Sequence, residues 1–242
     1  MVHTLPDYTT KYKIAAIFSM IDVAELAARL GSINTYDRRG NVMFMEDFEG
    51  GTLFWNTEGV GTGNSAALST VWAKSGSQSC ALTAGAGALG QSYIYRDLLV
   101  KVIGNIGLES SFTVDPDTSY VFMSLRYYNG AGYVEGGIRY DNANNKIQYL
   151  NSGNTYTDLI TNLKINTQTK QFSTWKMVLD LSNSEYERVM VNDEDVDMDG
   201  IDLKSVVAAN SKYIMIRIRH DSSHADAKTI YVDDVILTQN EP

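Results

Sequence analysis

Glu46, Asp47 and Glu49 stand together near the start of the strand-rich part of the chain, and Asp233-Asp234 stands near its end. If the first and last strands are neighbours, these carboxylates converge, and like charges in one place repel unless a cation lies between them. Oxygen-rich clusters of this kind suit Ca²⁺. Glu46, Asp47, Glu49 and Asp233 are therefore the expected ligands of a structural calcium, weighed against solvated strand ends paired with Lys or Arg. No other cofactor is expected.

A second acidic run, Asp193-Glu194-Asp195-Val196-Asp197-Met198-Asp199-Gly200, begins like a calcium loop. The position that should carry the bidentate Glu is Val206, so an EF-hand is rejected and a solvated loop is expected. His220 and His224 have the spacing of zinc ligands on a helix, but they fall between predicted strands and read as a surface loop. Cys80, within a predicted strand, reads as a small core residue. Trp55, Trp72 and Trp175 also read as core.

The chain has no Gly-x-Ser-x-Gly elbow, no phosphate loop and no His-Glu-x-x-His pair. A sandwich glycosidase needs two carboxylates across a cleft. Glu109, Glu135, Glu185 and Glu187 are available for that role, and nothing ranks one above another. The Glu-x-Asp-x-x-Glu arrangement of sandwich glucanases does not occur either, so no enzymatic activity and no catalytic residue is expected. Tyrosines crowd the middle of the chain. Tyr127, Tyr128 and Tyr133 are the candidates for facing a ligand, since a flat ring with a polar tip suits sugars and protein interfaces alike.

The elements that must carry these residues are mostly strands. Ile214, Ile216 and Ile218 alternate with Met215, Arg217 and Arg219, so the Ile row should face a core and the Arg row solvent or a partner. Strand patterns recur from Val42 to Leu237, with a meander at 133–160 joined by Asn- and Gly-rich turns. Ser75-Gly76-Ser77 predicts a tight hairpin, and 203–208 a short helix. The spacing predicts an all-β, two-sheet antiparallel jelly-roll sandwich over 42–242. Residues 1–41 differ. Ile14, Ile17, Phe18 and Ile21 share one helical face, Leu26 and Leu30 continue the apolar surface, and Gly31 supplies a stop. A helix so broadly apolar needs a surface to lie on. Residues 1–41 are thus expected to be a helical docking arm.

The net charge of −9 argues against nucleic acid as the main partner. A single cysteine allows no intrachain disulfide, which points to synthesis in the cytosol. No segment offers the roughly 20 apolar residues of a membrane span. The run from Ile14 to Ala24 is weak as a signal peptide, because Asp22 and Glu25 interrupt and follow it.

Asp47-Phe48-Glu49-Gly50 with Trp55, Gly76-Ser77-Gln78-Ser79-Cys80-Ala81-Leu82, Phe112-Thr113-Val114, Tyr120-Val121-Phe122 and the ending Tyr231-Val232-Asp233-Asp234-Val235-Ile236-Leu237 resemble jelly-roll carbohydrate-binding modules of the concanavalin-like type. That resemblance implies the sandwich fold over 42–238 and a structural calcium near the first and last strands. Ala24-Glu25-Leu26-Ala27-Ala28-Arg29-Leu30-Gly31-Ser32, with Asp37-Arg38-Arg39-Gly40, is similar to leaders of phage structural proteins. Proteins of that layout are usually oligomeric and hold a capsid through arms. The leading expectation is therefore a homo-oligomeric, capsid-decorating virion protein made in the host cytoplasm. The alternative is a lectin-like carbohydrate-binding module, secreted and partnered by a glycan; a sandwich glycosidase ranks behind both.

Overall fold

The computed structural model describes residues 39–99, 103–167 and 170–242. The arm residues Ile14, Ile17, Phe18, Ile21, Leu26 and Leu30 lie outside them. Arg39 and Gly40 enter no helix, and Asn41 already opens the first strand. No α-helix occurs among the described residues, so the helical arm finds no support there.

Sixteen strands follow among the described residues: β1 (Asn41–Glu46), β2 (Asn56–Thr62), β3 (Ser65–Ser69), β4 (Ser79–Ala84), β5 (Ala86–Leu98), β6 (Asn105–Phe112), β7 (Thr118–Tyr128), β8 (Gly132–Asp141), β9 (Lys146–Leu150), β10 (Tyr156–Thr161), β11 (Ser173–Asp180), β12 (Glu185–Val191), β13 (Glu194–Asp202), β14 (Lys204–Val207), β15 (Tyr213–Ser222) and β16 (Lys228–Gln239). They form two antiparallel sheets. The first runs β13-β12-β11-β6-β16-β4-β3, with β1 on β16; the second runs β10-β9-β8-β7-β15-β5-β2, with β14 on β8. Strands distant in sequence lie side by side, the mark of a jelly roll rather than a meander.

Alternation decides which face each strand buries. Ile214, Ile216 and Ile218 of β15 are fully buried, while Met215, Arg217 and Arg219 point the other way, as their spacing predicts. From the opposing sheet come Trp175, edge-on to Phe112 at 4.2 Å, and Tyr186, edge-on to Tyr149 at 5.7 Å. The Tyr186 hydroxyl crosses the core. It accepts from Gly137 N at 2.8 Å and donates to Leu150 O at 2.8 Å, so β12 of one sheet holds the backbone of β8 and β9 in the other.

Several local expectations are corrected. Residues 203–208 contribute strand β14, not a helix, because they complete the edge of β8 through Glu135–Lys204 to Gly132–Val207 pairing. The acidic run at 193–200 is mostly strand β13, whose Met198 is buried in the core while Asp195 and Asp199 face out. The turn at Ser75-Gly76-Ser77 sits inside a longer connection, since β3 ends at Ser69 and β4 begins at Ser79. Trp72, on that connection, is 46% exposed, unlike Trp55 and Trp175. β2 went unread because its sequence, Asn-Thr-Glu-Gly-Val-Gly-Thr, buries almost nothing.

His220 lies within β15 and is fully buried, not in a loop. Its Nδ1 donates to Leu82 O at 3.1 Å, and Nε2 accepts from Thr118 Oγ1 at 3.1 Å, so the ring is neutral in this setting. Burial lowers its pKa from 6.5 to about 4. A group lowered on folding stabilises the native state fully above its unfolded pKa and loses that contribution as pH falls through the folded one. Denaturant titrations of the parent and His220→Gln should therefore show the parent losing about 3 kcal/mol relative to the variant between roughly pH 6.5 and 4, on the scale of 1.36 kcal/mol per unit. The comparison cancels the raised carboxyls Asp221 and Asp233, which act in the opposite direction in both proteins.

Candidate functional site

The outer face of the second sheet gathers side chains that no short motif could announce. Glu58, Tyr93, Arg219, Phe122, Arg139, Gln148 and Asp158 are successive register partners, one from each strand of the β2-to-β10 path. Beside this row runs a second, Tyr95-Arg217-Ser124-Gly137, and beside that a third, Asp97-Met215-Arg126-Glu135-Lys204. Tyr213, Tyr128 and Tyr133 form a fourth. Register partners share a face, so these rows form one continuous surface.

Rings and guanidinium groups interleave across it. The Arg219 guanidinium lies 3.7 Å from the centre of the Phe122 ring. Arg139 packs on Tyr156 at 3.9 Å and Tyr120 at 4.3 Å, and Phe122 meets Tyr156 edge-on at 5.8 Å. Arg126 covers Tyr133 at 4.3 Å, while Tyr128 stacks on Tyr213 at 4.2 Å. Aromatic faces hold planar cations in this way by their quadrupole.

Glu135 anchors the group. It is 2% exposed and receives Arg126 Nη2 on both oxygens at 3.0 Å, Arg217 at 3.2 Å and Lys204 at 3.3 Å. Burial lowers the Arg217 pKa and Glu135 opposes that shift. Gly137 has no side chain, and a Cβ there would come within 3.1 Å of Ser124 Cβ. Five buried polar atoms of the face make no hydrogen bond: Ser124 Oγ, the Nε atoms of Arg126, Arg217 and Arg219, and Asp221 Oδ1. The last two approach to 3.0 Å without hydrogen-bond alignment. Burial raises the Asp221 carboxyl to about 6, with Arg219, Arg139 and Arg217 pulling the other way. These atoms lie beneath the exposed edges of the face, so the network that holds its arginines is incompletely paired.

The residues singled out in the sequence are placed as follows. Tyr128 and Tyr133 lie on this face, while Tyr127 points into the core. Of the four glutamates weighed for hydrolysis, Glu135 alone belongs to the second sheet. β1 does pair with β16, so the first and last described strands are neighbours. The acids nevertheless serve separate groups. Glu46 accepts from Phe48 N and Trp55 Nε1, and Asp47 from Glu49 N. Glu49 takes Ser77 N and Oγ and Gln78 N, while Asp233 takes Lys74 N and Ser75 N. Among the described residues no three His, Cys, Asp or Glu side chains are gathered as a metal site would require. Glu49 and Asp233 instead hold the connection between β3 and β4. Cys80 is fully buried, and burial raises its thiol to about 12, far from a reactive thiolate.

Sequence reading missed Tyr93, Tyr95, Tyr120, Phe122, Arg126 and Arg139. The available signal was phase: Phe122, Ser124, Arg126 and Tyr128 alternate with Val121, Met123, Leu125 and Tyr127, and the latter set is apolar enough to claim the core.

Known structures share this architecture. A Bacillus subtilis protein of unknown function with a galectin-like fold superposes with a TM-score of 0.55 at 11% identity, covering 84% of this chain and 97% of its own. The fold is a galectin-like jelly-roll sandwich. An endo-β-1,4-glucuronan lyase from the fungus Trichoderma reesei matches with a TM-score of 0.54 at 10% identity, over 82% and 95% of the two chains. The Bacteroides ovatus mixed linkage glucan PUL GH16 protein, in complex with a G4G4G3G product, matches with a TM-score of 0.51 at 10% identity, over 81% and 100%. No protein-family model matches the chain, and no curated protein is significantly similar to it. The expectation of a non-enzymatic module is corrected by these matches. A lyase and a glycoside-hydrolase-class protein use this same sandwich, so the lack of a contiguous motif excludes no catalysis on it.

Removing the anchor of the face should be costly. Glu135→Ala leaves three cations around a hole and should lower stability by about 3 kcal/mol, measured by urea unfolding. A loss below half of that would show the cations to be held mainly by their aromatic neighbours.

Proposed function

We propose that the outer face of the second sheet binds a glycan laid across its strands. The observation that carries this reading is the row from Glu58 to Asp158, where Tyr93 and Phe122 alternate with Glu58, Arg219 and Arg139 before Gln148 and Asp158 close it. Sugars offer flat apolar faces rimmed by hydroxyls, and a ring with neighbouring donors answers both halves of that surface. A galectin-like fold and two glycan-active neighbours support the reading as analogies of fold. The capsid-docking reading drew on residues 14–30, outside the described residues, and nothing in the comparisons supports it.

Cleavage of that glycan at the same face is the second reading, favoured by one observation. Asp221 is a partly buried carboxyl with an unsatisfied oxygen and a pKa of about 6. A group poised near the operating pH can move protons in either direction.

The test is a glycan array probed with the intact chain, followed by titration of the hits. Tyr156→Ala should weaken binding about tenfold, the 1.4 kcal/mol scale of one lost ring contact. Glu187→Ala, on the first sheet, should leave affinity unchanged. Equal binding by Tyr156→Ala and the parent would remove this face as the site. For the second reading, new reducing ends or an unsaturated product should appear with a bound polymer and vanish in Asp221→Asn, while binding persists.

A further inference from the structure

Within the glycan reading, on which this inference rests, the cations on the three central strands select a class of sugar. Arg139 Nε donates to Gln148 Oε1 at 2.8 Å, and among the described residues no carboxylate lies within ion-pair distance of its guanidinium. Among the described residues Arg219 has one acidic neighbour within ion-pair distance, Asp221, whose Oδ1 lies 3.0 Å from Nε. Both guanidinium planes are occupied by rings, Phe122 for Arg219 and Tyr120 and Tyr156 for Arg139. Stacking that uses the plane leaves the outer N–H edge open, and that edge is the part of arginine that takes a carboxylate in two parallel bonds.

The remaining charges on the face are disposed around this pair. Glu135 is saturated by Arg126, Arg217 and Lys204. Asp141 is tied into its own turn by Asn144, and Lys146 holds Asp158 at 2.6 Å. Glu58 accepts the Tyr93 hydroxyl at the opposite end of the row. Asp97 sits beside Met215 at the edge of the third row. The centre is thus arginine-rich and the acids, Asp221 apart, are engaged or peripheral, in a chain whose net charge is −9.

We propose that the glycan is acidic, with Arg139 and Arg219 holding carboxylates of a uronate-bearing chain on either side of Phe122. The two arginines are register partners of Phe122 on its two neighbouring strands. That places them two strand spacings apart, about 10 Å at the usual separation of about 4.8 Å. A polymer running across the strands presents its charged groups to both, while its rings lie over Tyr156 and the arginine edges, with Phe122 buried beneath them.

The experiment is titration of the intact protein with a polyuronate, the same polymer with its carboxyl groups reduced to alcohols, a sulfated polysaccharide and a neutral β-glucan. The polyuronate should bind, carboxyl reduction should weaken it about tenfold or more, and added salt should weaken it further. Arg139→Gln and Arg219→Gln, checked for unchanged melting, should each lower polyuronate affinity about tenfold. Should either variant fail to fold, the comparison of native and carboxyl-reduced polymer on the parent protein decides alone. Equal binding of the reduced polymer or the neutral glucan, still sensitive to Tyr156→Ala, would overturn the acidic assignment and leave the glycan reading standing. Tighter binding of the sulfated polymer would overturn the uronate assignment. Binding of none of them, with a blank array, would overturn both.

Discussion

With Ile214, Ile216 and Ile218 sealed inside the sandwich, the pleat of β15 obliges Arg217 and Arg219 to project outward. The same constraint acts on each neighbour. Val121, Met123 and Leu125 hold β7 to the core and turn Phe122, Ser124 and Arg126 out; Val134 and Ile138 do the same for Glu135, Gly137 and Arg139 on β8. A slip of one residue in any of these strands would drive arginines into the core and strand apolar residues in water. Apolar burial on one side therefore fixes the composition of the other.

The face is also braced from beneath and within. Tyr186 reaches through the core from the first sheet to the backbone of Gly137 and Leu150. Glu135 gathers Arg126, Arg217 and Lys204 from three strands into one buried cluster. Breaking such a cluster strands charge in a poorly solvated place, so it restrains geometry more surely than it adds stability. Side chains held by packing and charge below the surface are suited to present fixed donors above it.

The carboxylates that first drew notice turn out to organise loops. Glu49 binds the backbone and hydroxyl of the 74–78 segment, and a Cβ on Gly76, whose φ is +61°, would collide with its carboxylate. Asp233 secures Lys74 and Ser75 from the other side, and burial with its neighbour Asp234 raises its pKa to about 7. Convergence of acids was a fair expectation from adjacent terminal strands. Backbone N–H groups of the intervening loop are the hydrogen-bond partners that Glu49 and Asp233 take in the fold.

Period-two patterning was enough to read the all-β class, the sandwich, and the inward row of β15, because burial on one face leaves a local trace in the residue order. It also marked the meander at 133–160, which the fold realises as β8, β9 and β10. It failed at β2 and β14, edge strands that bury little and so carry no apolar rhythm, and at β13, where outward aspartates masked Val196 and Met198. The candidate site was legible only in fragments, as outward arginines on one strand and tyrosines on two others. Which strands lie side by side depends on long crossovers whose cost and direction no local segment encodes. Bringing Arg219, Phe122 and Arg139 into one row was therefore decided by the tertiary fold.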